Sequence, residues 1–78
     1  MTPAEIEQLI QSGLPDSKVE VRSDDNTHFE AVVVSSEFAG KRALQRHQMV
    51  YRTLGDAMGG EIHALSIEAL TPEEQGAA

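Results

Sequence analysis

The stretch His28-Phe29-Glu30-Ala31-Val32-Val33-Val34-Ser35 reads as a β-strand whose Val32-Val33-Val34 run is apolar on both faces. Branched side chains suit a pleated, packed surface, and a strand apolar on both sides belongs in the middle of a sheet, flanked on both edges and covered by helices. Just before it, Val19 and Val21 alternate with Lys18, Glu20 and Arg22, the period of a half-buried strand over residues 18–23. Ser23-Asp24-Asp25-Asn26 joins the two as a turn, because short polar side chains satisfy nearby backbone groups and tolerate tight geometry. Residues 18–23 and 28–35 are therefore expected to form an antiparallel hairpin.

Upstream, residues 2–12 carry a helix-start signature. Thr2 can cap, Pro3 suits the first helical position, and Glu5 stands where a capping box needs its acid. Ile6, Leu9 and Ile10 share one face, and Gly13 and Pro15 end the helix. Downstream, residues 41–58 have helical period, with Leu44, His47, Val50, Tyr51, Leu54, Ala57 and Met58 in one stripe and the basic side chains mostly off it. Gly40 breaks the chain ahead of this region, and Gly59-Gly60 supplies a left-handed cap at its end. A third strand follows over residues 62–69, where alternation puts His63 beside Leu65 and Ile67 at the edge of the apolar face. Residues 71–75 suit one more helical turn, and residues 75–78 are expected to fray.

The order is α-β-β-α-β, or α-β-β-α-α-β with the long helical region split in two. A strand, a helix and a strand of one sheet make a right-handed crossover, so the second and third strands should pair in parallel. The expected class is α+β, a three-stranded mixed sheet with helices packed on it in a single domain over residues 1–78.

Composition narrows the function. A 78-residue chain that is 40% hydrophobic supports one small core. With no cysteine it cannot build a disulfide framework or a thiolate metal site alone. No apolar run reaches the length of a membrane span and no basic leader precedes one, so a cytoplasmic protein without membrane contact is expected. No Gly-x-Ser-x-Gly, His-Glu-x-x-His or phosphate-cradling Gly-x-x-x-x-Gly-Lys motif is present, and the acid pairs Asp24-Asp25 and Glu73-Glu74 fall in a turn and a tail. Catalysis is not expected. Charge, however, is sorted along the chain. Lys41, Arg42, Arg46 and Arg52 put +4 into a span without an acid, against −7 for the whole chain. That span is either a solvated face that docks an acidic partner or a nucleic-acid footprint at a helix start.

Several linked motifs then resemble the BolA family: Thr27-His28-Phe29, the run from Val32 to Lys41, Leu44-Gln45-Arg46-His47-Gln48-Met49-Val50-Tyr51, Ile62-His63-Ala64-Leu65-Ser66-Ile67 and Leu70-Thr71-Pro72-Glu73. The chain is most similar to the small bacterial branch, IbaG/YrbA. The resemblance implies an α-β-β-α-α-β fold like class II KH domains. It also implies partnership with a monothiol glutaredoxin through a shared [2Fe-2S] cluster, and a role in transcription regulation or the stress response. No cofactor is expected for the isolated chain, a monomer or weak dimer.

By the same resemblance His63 is a cluster ligand, although a lone histidine at a strand edge is ordinarily structural. A neutral imidazole nitrogen binds iron, and the partner would contribute thiolates. The second ligand falls on His28, in the Thr-His-Phe motif; its alternative role is to cap the turn before the strand. His47 lies on the helix stripe and is read as a packed side chain or a partner contact, not a ligand. Lys41, Arg42, Arg46 and Arg52 are the candidate partner or DNA contacts. Where KH domains carry Gly-x-x-Gly, this chain has Gly40-Lys41-Arg42-Ala43.

Overall fold

The computed structural model describes residues 1–76. Its elements are α1 (Pro3–Gly13), β1 (Lys18–Arg22), β2 (His28–Val34), α2 (Ala43–Leu54), β3 (Ala64–Leu70) and α3 (Pro72–Gly76). One-turn 3-10 helices at Ser36–Phe38 and Gly55–Ala57 bracket α2. The strands lie in the order β1-β2-β3, β1 antiparallel to β2 and β2 parallel to β3. The mixed sheet, its central strand and the parallel pairing of β2 with β3 are as expected.

The helices cover only one face of the sheet. Val21, Phe29, Ala31 and Val33 join Ile6, Ile10, Val50, Leu54 and Ile62 in the core, with Val19, Leu65, Ile67 and Ala69 packed against it. The other face carries the exposed Glu20, Glu30 and Glu68 around a half-buried Val32, with Val34 buried at the end of the strand. The triple valine thus marks a central strand, but not one covered on both faces.

Helix α1 starts as its capping box requires: the Thr2 hydroxyl accepts the Glu5 N–H at 3.3 Å, and Glu5 Oε1 accepts the Thr2 N–H at 2.9 Å. Gly13 is the last residue of α1 rather than a left-handed cap after it. Its need for a hydrogen side chain comes from packing, since a Cβ there would stand 2.4 Å from Thr53 Cγ2 on α2. Gly13→Ala should therefore cost about 1–3 kcal/mol through overpacking at this crossing. A lower urea midpoint, partly restored by adding Thr53→Ser, would show it; an unchanged midpoint would place the crossing elsewhere.

Three expectations for the second half need correction. Helix α2 ends at Gly55, whose φ of 53° stops the helix one turn before Gly59, and the 3-10 turn takes up the remainder. The proposed stripe is also rotated. Val50 and Leu54 are buried, whereas Leu44 and Tyr51 are 70% and 40% exposed. The buried arc runs through Val50 and Leu54, and at 100° per residue Leu44 and Tyr51 fall outside it. Finally, β3 begins at Ala64, not residue 62. Ile62 is fully buried and bridges Met58, so the alternation is interrupted and His63 is exposed instead of lying on the apolar face. Gln75 and Gly76 close α3 rather than fraying; the same expectation for residues 77–78 lies outside the described residues.

Candidate functional site

The register of the parallel pair brings two histidines to the same end of the sheet. His28, the first residue of β2, pairs with Ala64, the first residue of β3 and the neighbour of His63 in the chain. Paired residues on adjacent strands are about 5 Å apart, so the register brings the His28 backbone beside Ala64 and places His63, one residue before it, at the same end of the sheet although 35 positions separate the two histidines. Both are exposed.

His63 is held by the backbone on either side of it. The Ile62 N–H donates to the Ala57 carbonyl and the Ile62 carbonyl accepts the Gly59 N–H, both at 2.8 Å, while Ala64 enters the ladder. An exposed imidazole between a fully buried residue and a strand is a side chain on a fixed mount.

His28 is held by the turn before it. Asp25 Oδ1 accepts the backbone N–H groups of Thr27 and His28, each at 2.9 Å, and Asp25 Oδ2 lies 2.9 Å from the His28 ring Nδ1. The Ser23 hydroxyl donates to the His28 carbonyl at 2.7 Å and accepts the Asn26 N–H at 2.9 Å, with Asn26 at a φ of 55°. The His28 backbone N–H, followed by its ring, holds the Asp25 carboxyl well below the usual carboxylate range. The sequence marks Asp25 only as a turn residue and one of an acid pair; its bond to the His28 ring was not expected, and the signal available was the Asx-turn pattern of an Asp three positions before the histidine. Among the described residues, no group of three or more His, Asp or Glu side chains is placed to hold a metal ion. Two exposed imidazoles can supply two nitrogen donors to iron, and a complete site needs donors from a second molecule.

The basic side chains do not form one patch. Arg46 Nε donates to the Lys41 carbonyl at 2.8 Å and Nη1 to the Ala69 carbonyl at 3.1 Å, while Nη1 and Nη2 reach Glu74 at 2.6 and 3.3 Å. Its guanidinium also stands 5.9 Å over the Phe38 ring. With its side chain only 13% exposed, Arg46 ties α2, β3 and α3 together and is not a free surface cation. Lys41 and Arg42 are exposed at the start of α2, where Gln45 Oε1 accepts the Arg42 N–H at 3.0 Å. Arg52, ten residues on, lies about 15 Å along the helix. His47 is half-buried on α2.

Because α2 runs back along the sheet, Lys41 and Arg42 sit near the C-terminal ends of β2 and β3, as the Arg46 bond to Ala69 shows. The histidines sit at the N-terminal ends, about 20 Å away along a seven-residue strand. The start of the basic segment is thus not beside the histidine pair.

Four carboxylates are held below their ordinary pKa: Glu74 to about 2, by Arg46 and then the Thr71 N–H; Asp16 by the hydroxyls of Ser36 and Ser35; Glu5 by Thr2; and Asp25 by His28. A depressed folded pKa stabilises the fold above the unfolded pKa, and that stabilisation is lost as pH falls through the folded value. The thermal midpoint should thus hold through neutral pH and fall between pH 4.5 and 2, with a shallower fall in Glu74→Gln. Equal slopes in both proteins would remove Glu74 from the acid transition.

A family model described as BolA-like protein matches residues 2–74. The chain belongs to the BolA-like family. This BolA-like chain is 44% identical to a bolA protein homologue from Coxiella burnetii and superimposes on it with a TM-score of 0.89, covering 97% of each chain. It is 50% identical over 48 residues to human BolA-like protein 1, a match covering 62% of this chain and 35% of the human protein. It is 39% identical over 54 residues to the Escherichia coli DNA-binding transcriptional regulator BolA, covering 69% and 51%. The matched stretch spans about a third to a half of these curated relatives' own length.

Proposed function

We propose that this BolA-like chain is an adaptor, not a catalyst, that docks on a monothiol glutaredoxin in the cytoplasm and shares a [2Fe-2S] cluster through His63 and His28. Iron-sulfur trafficking or iron and stress regulation is the process it would serve. One observation carries the reading: the parallel register brings the two exposed histidines to the same end of the sheet, each on hydrogen-bonded backbone. The absence of cysteine from the chain fits a cluster completed by a partner's thiolates. When bound, the cluster supplies one-electron chemistry. This chain supplies nitrogen donors, which in place of thiolates raise the potential.

Co-expression with a monothiol glutaredoxin should yield a coloured heterodimer whose visible spectrum changes in His63→Ala, with loss of cluster on gel filtration. A spectrum and cluster content unchanged by His63→Ala would remove His63 from the site.

A second reading is nucleic-acid binding, favoured by the exposure of Lys41 and Arg42 at the α2 N-terminus and by the name of the E. coli relative. It predicts DNA binding that falls steeply with salt and weakens in Lys41→Ala/Arg42→Ala. No binding at low salt would refute it. The distance between the two ends of the sheet makes the readings separable, since variants at one end leave the other untouched.

A further inference from the structure

We propose that Asp25 is the positioning residue for His28: it takes the Nδ1 proton of the ring in a hydrogen bond and so presents Nε2 as the metal-binding atom. The inference rests on the reading of His28 as a cluster ligand and adds which nitrogen binds and what sets it. An ionised carboxylate only accepts hydrogen bonds, so at 2.9 Å the ring nitrogen facing Asp25 Oδ2 must be the protonated one. In a neutral imidazole the lone pair is then on Nε2. Asp25 does this without freedom to swing away, because its other oxygen is fixed by the backbone N–H groups of Thr27 and His28. One side chain therefore sets the backbone position, ring orientation and tautomer of His28. Carboxylate partners of this kind are worth about 10–100-fold in metal affinity at histidine sites.

Asp25→Asn separates the turn from the tautomer. The amide oxygen can keep the two backbone N–H groups while the NH₂ replaces Oδ2 and donates to Nδ1, which sends the ring proton to Nε2 and blocks the ligand atom. The first measurement uses the metal-free chain labelled with ¹⁵N-histidine. Long-range ¹H–¹⁵N spectra should show His28 as the Nδ1–H tautomer in the wild type and the Nε2–H tautomer in Asp25→Asn, with His47 and His63 unchanged. The second uses the cluster-loaded complex with a monothiol glutaredoxin. Asp25→Asn should lower cluster retention about 10–100-fold, and His28→Ala should remove one iron–nitrogen signature from the pulsed electron paramagnetic resonance spectrum of the reduced cluster.

An unchanged His28 tautomer in Asp25→Asn overturns the role of Asp25 even if His28→Ala strips the signature. An unchanged signature in His28→Ala overturns it from the other side, by removing His28 from the ligands, whatever the tautomer does.

Discussion

Phe38→Ala should lose about 3–5 kcal/mol of folding free energy, the cost of deleting a fully buried aromatic side chain. At 0.05–0.15 kcal/mol per residue, a domain of 78 residues holds roughly 4–12 kcal/mol in total. At the lower end of that range the variant would be close to unfolding at room temperature. Phe38 ends the one-turn helix after β2, where Ser35 and Ser36 are tied to Asp16 through bonds of 3.0 and 2.6 Å and the Arg46 guanidinium covers the ring. It is the wedge that turns the chain from the central strand into α2, so the surroundings cannot collapse into its space without moving the helix. A urea melt with a lowered midpoint and unchanged slope would show the loss. A shift below about 1 kcal/mol would mean that the site repacks.

Arg46→Ala should cost about 2–3 kcal/mol, because two backbone carbonyls lose charge-assisted donors at a mostly buried position. Arg46→Lys should recover less than half of it, since an ammonium cannot reach the Lys41 and Ala69 carbonyls and the Glu74 carboxylate from one planar fork. Glu74→Ala should cost much less: its side chain is 45% exposed, and Arg46 keeps its carbonyl partners without it. Thermal melts of the three variants would rank them. Arg46→Ala as stable as the wild type and weakened in DNA binding would return Arg46 to the surface cations. With the bonds described above, a DNA-binding defect in Arg46→Ala reports damage to α2, β3 and α3, and Lys41→Ala/Arg42→Ala is the cleaner test.

The two candidate interfaces also differ in how they are built. The histidine pair is made of residues far apart in sequence and held by backbone and a turn. Lys41 and Arg42 are consecutive, and their exposure follows from ending a loop at a helix start. A partner reading the histidines meets a rigid sheet end flanked by Asp24, Asp25 and Glu30, whereas one reading Lys41 and Arg42 meets the start of α2.

By itself the sequence determined the elements whose cause is local. The Thr2–Glu5 capping box, the Asp-Asn turn, the alternating valines of β1 and the central place of β2 are set by neighbours within a few positions, and all are present. The fold class followed from them, while the family came from the resemblance of the linked motifs between Thr27 and Glu73. Only the tertiary structure decided what depends on distant partners. Arg46 counted as a surface cation until Ala69 and Glu74, 23 and 28 residues away, enclosed it. Gly13 looked like a helix stop until Thr53 lay against it, and His63 left the apolar face because Ile62 turned inward to meet Met58. Side-chain periodicity records which way a residue points in a regular element. It carries no record of the chain that arrives across the ladder or the helix crossing, and that arrival brought His63 to the same end of the sheet as His28.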